Sequence, residues 1–258
     1  MPLEKYPVDR ELFERACELF EGHPKGLMGI GTLSEKNIHA ILKYYFAPDP
    51  QYHEQKVGDF VADILMGGEI TEIQTRSFNV LRRKLDCFLP NHEVTIVYPV
   101  IRENRIHKID AGTGELISVR KSPVKGTLYT ILPELYKIRP YLFDPHLHLV
   151  LAILDADDYR LVYEESAEKK KKRPLKLDRV PVDFIEEIHF DSVSDLMDLI
   201  PEDLPEPFSS KSLSKAVHAP IGEIRILLQI LTEHGLIDKT GKEGNLILYT
   251  RKKPAFSD

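Results

Sequence analysis

The sequence predicts a mixed α/β sheet domain followed by a small C-terminal unit of two helices and a hairpin. Three observations carry this. Short β-prone runs at 60–66, 70–75, 94–100 and 146–154 alternate with helical periodicities rather than following one another directly. Gly67-Gly68 marks a tight turn between the first two runs. Beyond residue 200 the chain repeats no sheet pattern and instead reads helix, turn, helix, hairpin.

At 258 residues the chain can hold one large domain or two smaller ones, with a sizeable core at 42% hydrophobic content. Cys17 and Cys87 are too few for a zinc or disulfide framework, which suits a reducing, cytoplasmic setting. No apolar run approaches membrane-spanning length, and Met-Pro-Leu-Glu-Lys is not a signal peptide. The formal net charge of −6 is uneven. Residues 208–258 hold eight Lys/Arg against five Asp/Glu, about +3, and leave about −9 for the rest.

In chain order, 9–21 reads as an amphipathic helix with Phe13, Ala16, Cys17 and Phe20 on one face. A second helix starts near Thr32, where Thr32 and Glu35 fit a capping box, and Ile38, Ile41, Leu42 and Tyr45 form its stripe. Pro48, Asp49 and Pro50 place a loop after it. The two strands 60–66 and 70–75 follow, then a helix over 77–85 carrying Arg82, Arg83 and Lys84, then the strand 94–100. Hairpin-like segments lie at 105–109 and 116–120. Residues 128–142 read as helical, limited by Pro133 and Pro140, and 146–154 as a buried strand. This gives a sheet domain over 1–165, a linker or exposed hairpin over 166–190, and the C-terminal unit over 191–258. There Ser212–Val217 is a short helix, Pro220 opens the next, Gly235 stops it, and 236–239 pairs with 246–249. That order is a winged helix-turn-helix.

The chemistry concentrates in residues 61–76. Asp63 interrupts an apolar run, and nine residues later Glu72 is followed by one spacer and Gln74. On two adjacent strands Asp63 and Glu72 would present hard oxygen ligands to one Mg²⁺ or Mn²⁺, with the carbonyl of Ile73 as a further ligand. Gln74 can orient water by hydrogen bonds but brings no charge. Glu54, just upstream, would join them as an extra carboxylate, binding a second metal or polarising water. All three carboxylates are then expected to converge on one point. Strand-end solvation, or ion pairs of the two acids with Arg76 or Lys56, is the structural alternative.

The segments Glu54-Gln55-Lys56-Val57-Gly58, Asp63-Ile64 and Glu72-Ile73-Gln74-Thr75-Arg76 resemble the restriction-endonuclease-like PD-(D/E)xK superfamily. More narrowly, the chain looks like an uncharacterised bacterial family that joins this core to a C-terminal winged helix. The resemblance implies a restriction-endonuclease-like fold, Mg²⁺ and DNA cleavage, with Asp63 and Glu72 at the metal-ligand positions. Gln74 then stands where the superfamily usually has lysine.

DNA is the expected partner. Arg76 lies nearest the motif and would hold phosphates. Arg225 and Gln229 on the second helix of the C-terminal unit can read base edges. Lys239 and Lys242 on the wing can neutralise phosphates, with Arg251 beyond them. Double-strand cutting with one site per chain would favour a homodimer. His146 and His148 share a strand face, which would allow a metal site. Residues 29–32 lack the strand and lysine of a phosphate loop, and no nucleophilic triad is legible. Two non-enzymatic readings stand beside the endonuclease: a DNA-binding regulator on a degenerate nuclease fold, and a protein-interaction module.

Overall fold

The computed structural model describes residues 5–21, 36–163 and 174–252. The chain runs β1 (Lys5–Tyr6), α1 (Arg10–Glu21), α2 (Lys36–Phe46), β2 (His53–Val57), β3 (Phe60–Met66), β4 (Glu69–Ile73), α3 (Arg82–Phe88), β5 (Val94–Asp110) and β6 (Leu116–Lys121). It continues with α4 (Leu132–Lys137), β7 (Leu147–Val162), β8 (Leu175–Phe190), β9 (Phe208–Ser209), α5 (Ser210–Val217), α6 (Ile221–Glu233), β10 (Ile237–Glu243) and β11 (Leu246–Arg251).

Eight strands form a mixed sheet in the order β1-β8-β7-β5-β4-β3-β2, with β6 also on β5. β2, β3 and β4 are an antiparallel meander. The chain then crosses through α3 and returns as β5, parallel to β4. β7 is parallel to β5, and β8 turns back antiparallel. Apolar side chains on both sheet faces demand cover on both sides, and the chain supplies it. On one face Phe13, Ile38, Ile41, Leu42 and Tyr45 of α1 and α2 pack on Ile73, Val97, Val150 and Phe184. On the other, Leu85, Phe88, Leu132 and Leu135 of α3 and α4 pack on Ile70, Ile96, Leu149 and Ile188. Fully burying each such side chain stabilises the fold by about 1.5–3 kcal/mol.

The helical faces read from periodicity hold for Phe13, Ala16, Ile38, Ile41, Leu42 and Tyr45, all buried. Phe20's side chain and the capping box at Thr32 and Glu35 lie outside the described residues. Three expectations change. The strand expected over 70–75 stops at Ile73, because the chain leaves the ladder where the Gln74 N–H bonds Val97 O (2.9 Å). The helix expected over 77–85 splits into a 3₁₀ turn at Phe78–Leu81, capped by Ser77, and α3. Residues 128–142 break into two 3₁₀ turns around α4, with Pro133 and Pro140 each within the first turn of its segment.

The largest correction concerns 166–190. Residues 164–173 lie outside the described residues, but 175–190 is neither a linker nor exposed. It is β8, a sixteen-residue strand paired along β7, with Phe184, Ile188 and Phe190 buried. Its alternating charges hid it, since acids and bases occupy the face or end that the core does not need.

The C-terminal unit is two helices and a small three-stranded sheet, β10-β11-β9. Its Leu227, Leu228 and Leu231 belong to the same apolar cluster as Leu135 and Ile96 of the sheet domain.

Candidate metal centre and its surroundings

The acids lie where the meander breaks. His53 pairs with Ile64 and Gln55 with Ala62, so Glu54 and Asp63 are neighbours across β2 and β3. Ile64 pairs with Thr71 and is the last ladder pair of β3 with β4, which sets Asp63 beside Glu72. Ala62 packs with the cluster around Ile70, whereas Ile64 packs with the cluster around Ile73. Residues two apart on a regular strand share a face, so β3 changes face at Asp63. Side chains replace the missing ladder bonds. The Ile73 N–H donates to Asp63 Oδ2 (2.8 Å), and the Asp63 N–H donates to Glu72 Oε1 (3.3 Å).

Helices then bring a nitrogen base or cation to each acid. His39 Nε2 lies 3.1 Å from Asp63 Oδ2. Lys43, one turn later on α2, pairs with Glu54. From α3, Lys84 Nζ donates to both oxygens of Glu72, at 2.9 and 2.7 Å. Glu72 is 2% exposed and Asp63 14%.

Two adjacent carboxylates in a shielded place cannot ionise alike. Burial pushes Asp63 upward, but the hydrogen bond and charge of His39, the Ile73 N–H and Lys84 outweigh it and hold Asp63 below the usual carboxylate range. Burial raises Glu72, the Asp63 charge adds to this, and Lys84 opposes it; the result is about 7. One acid is therefore a standing anion and its neighbour exchanges a proton near neutrality, a split found where carboxylates work as ligands or as acid and base.

Other expected members fall differently. Glu54 has a left-handed backbone (φ +51°), its side chain is 58% exposed, and it is engaged by Lys43. Among the described residues no three His, Cys, Asp or Glu side chains are grouped to hold a metal, so the expected three-carboxylate convergence reduces to the Asp63–Glu72 pair. Gln74 gives its Nε2 to the Ser77 carbonyl (2.9 Å), tying the amide into the turn rather than towards the acids. Ile73 is held by its own N–H against Asp63. Lys84 is the residue the motif spacing missed. A signal existed: Leu81, Leu85 and Phe88 set the buried stripe of this segment, and position 84 lies on it while Arg82 and Arg83 are exposed.

His146 and His148 are engaged in ion pairs: Glu93 reaches His146 Nδ1 (2.7 Å) and His148 Nε2 (3.1 Å), and Asp191 reaches His148 Nδ1 (3.2 Å). Arg76 is exposed on the turn after β4. Arg225, Lys239 and Lys242 are exposed on α6 and β10. Gln229 is exposed too, but its amide bonds Glu233 (2.9 Å) and Tyr136 of α4 (3.3 Å). That end of α6 faces the sheet domain, with Arg139 beside Glu233 (3.6 Å). Arg251 is held by Glu206 and by the carbonyls of Leu204 and Pro201, so it belongs to the packing of the unit rather than to the wing's free bases. No described helix is long and apolar enough to cross a membrane.

A family model described as a domain of unknown function (DUF8091) matches residues 36–191. That span begins with α2 and ends just past β8, so it holds the paired acids and all three helix-borne partners. An uncharacterised protein of Treponema pallidum (strain Nichols) is 28% identical over 231 residues, covering 88% of this chain and 89% of the relative. No solved structure gives a significant match.

Proposed function

Since the chain belongs to the DUF8091 family and the matched span contains the paired acids, we propose that it is a metal-dependent DNA endonuclease with a restriction-endonuclease-like core and a winged helix that delivers it to DNA. The observation that carries the reading is Asp63 and Glu72 meeting at the broken end of the β3–β4 ladder, with Lys84 on Glu72. The order α2, meander β2-β3-β4, crossover α3 and parallel β5 supports it, because it is the arrangement that the superfamily resemblance implies.

The donor set suits a hard cation. Mg²⁺ is commonly held by one or two carboxylates with water and substrate phosphate completing the shell, and Asp63 and Glu72 supply two. With Ile73's carbonyl they would hold Mg²⁺ or Mn²⁺. When bound, such an ion supplies charge neutralisation at the phosphate and lowers the pKa of a bound water. Asp63, kept ionised by His39, is the permanent ligand. Glu72 releases its proton as it turns from Lys84 to a ligand role. Lys84 then places a positive charge beside the reacting phosphate, the charge that Gln74 lacks. Arg76, Arg225, Lys239 and Lys242 would hold the backbone of the duplex.

One observation favours the non-catalytic DNA-binding reading: both oxygens of Glu72 are occupied by Lys84 and the Gln74 amide by Ser77. Cleavage of plasmid and branched DNA with Mg²⁺ or Mn²⁺ separates the two. The endonuclease cuts, Asp63→Ala abolishes cutting, and Lys84→Met lowers it by about 10²-fold or more, the scale of losing one transition-state charge partner. Equal cutting by wild type and Asp63→Ala overturns the assignment. Absence of cutting with retained, salt-sensitive binding leaves the regulator.

A further inference from the structure

The β5–β6 hairpin leaves a strand uncovered. All six residues of β6 are exposed, so both of its faces meet solvent, and β5 is the strand it pairs with among the described residues. Every second residue of such an edge turns its N–H and C=O outward. Soluble proteins usually blunt edges of this kind with charges, proline or bulges. Here the middle of the strand is apolar: Leu116 is 58% exposed, Ile117 53% and Val119 47%. The strand is also stiff. Asp110 Oδ1 accepts from the N–H groups of Gly112 and Thr113, both at 2.8 Å, and the Asp110 N–H bonds Glu115 O. An edge held in extended form loses little entropy on pairing.

The sequence of this edge names its occupant. Glu115 stands at one end and Arg120-Lys121 at the other. We propose that β6 pairs with β6 of a second copy of this chain, antiparallel about Ser118. A two-fold axis normal to the sheet leaves each side chain on its own face, so it allows only registers in which one residue faces itself. With Ser118 at the axis, Ile117 faces Val119 twice and Glu115 faces Lys121 twice. Centring on Ile117 sets Glu115 opposite Val119, and centring on Val119 carries Glu115 beyond the strand. Only the Ser118 register opposes unlike charges. Lys121 is 74% exposed and touches Glu103 at 3.0 Å, which leaves ammonium donors for a second acid. The two sheets would then run continuously through the axis.

The full-length chain is tested by sedimentation equilibrium. The wild type is expected to dimerise. Glu115→Lys and Lys121→Glu each replace two attractive pairs by two repulsive ones and are expected to weaken the dimer about tenfold or more, given the modest worth of exposed pairs. An equimolar mixture of the two variants restores both pairs and is expected to recover wild-type association. Far-UV circular dichroism checks their folding. Should either misfold, Ile117→Asp at the same exposed edge is expected to give a folded monomer. A wild type that stays monomeric to about 100 μM overturns the proposal. So does a dimer untouched by these variants, or a mixture no tighter than its components.

Discussion

Glu72 concentrates the chemistry of this chain in one titration. Its folded value, near 7, lies above the ordinary carboxylate value. The folded state therefore keeps a proton that the unfolded chain has already lost, and stability falls as pH rises from the unfolded value through about 7. A cation must displace that proton. Mn²⁺ affinity is expected to climb with pH through this window, with close to one proton released per ion at about pH 6 and far less at about pH 8. Calorimetric titration in buffers of different ionisation enthalpy reads both. Lys84→Met removes the partner of a buried carboxylate. Its cost is expected to be roughly 3 kcal/mol at alkaline pH and much smaller near pH 5, where Glu72 is protonated in either protein. Urea unfolding at the two pH values measures the difference. The Asp63, Glu72 and Gln74 spacing was legible because acids on a meander must repeat with its turn. Lys84 was not singled out, because its contact depends on how α3 crosses the sheet.

β8 carries the lesson at the level of the element. Periodicity found α1, α2, β3 and β5 because each shows one apolar face to one layer. The segment 175–190 mixes Lys176, Asp178, Arg179, Asp183, Glu186 and Glu187 with its apolar residues, and a polar segment precedes it. Its strand character comes from β7, whose register supplies thirteen partners from Leu149 to Leu161. Phe184 fixes it against α1 and α2, with the Phe13 and Tyr45 rings at 5.7 and 4.8 Å. Phe184→Ala is expected to cost about 3–5 kcal/mol in denaturant unfolding. A fragment ending at residue 165 lacks β8 and is expected to show no cooperative thermal transition by circular dichroism.

The whole molecule is held by an apolar cluster that runs from the sheet into the C-terminal unit, through Leu135, Ile138, Leu227 and Leu231. Calorimetry is accordingly expected to give one transition rather than two, and Leu231→Ala to lower it as a single peak. DNA binding belongs to this scale as well. The double variant Lys239→Ala/Lys242→Ala is expected to reduce the slope of log affinity against log salt by about 2, read by fluorescence anisotropy, with little change between sequences. Residue order alone determined the local elements, the meander turn at Gly67-Gly68, the pairing of Asp63 with Glu72 and the two-helix-and-hairpin pattern of the C-terminal unit, because these depend on near neighbours and on periodicities of two and 3.6 residues. Tertiary structure decided what distance along the chain conceals. It brought Lys84 to Glu72 and His39 to Asp63, turned Gln74 into its own loop, drew β8 into the sheet, and set Gln229 against α4. Each of those contacts is fixed by how layers cross and pack, and no local pattern records that.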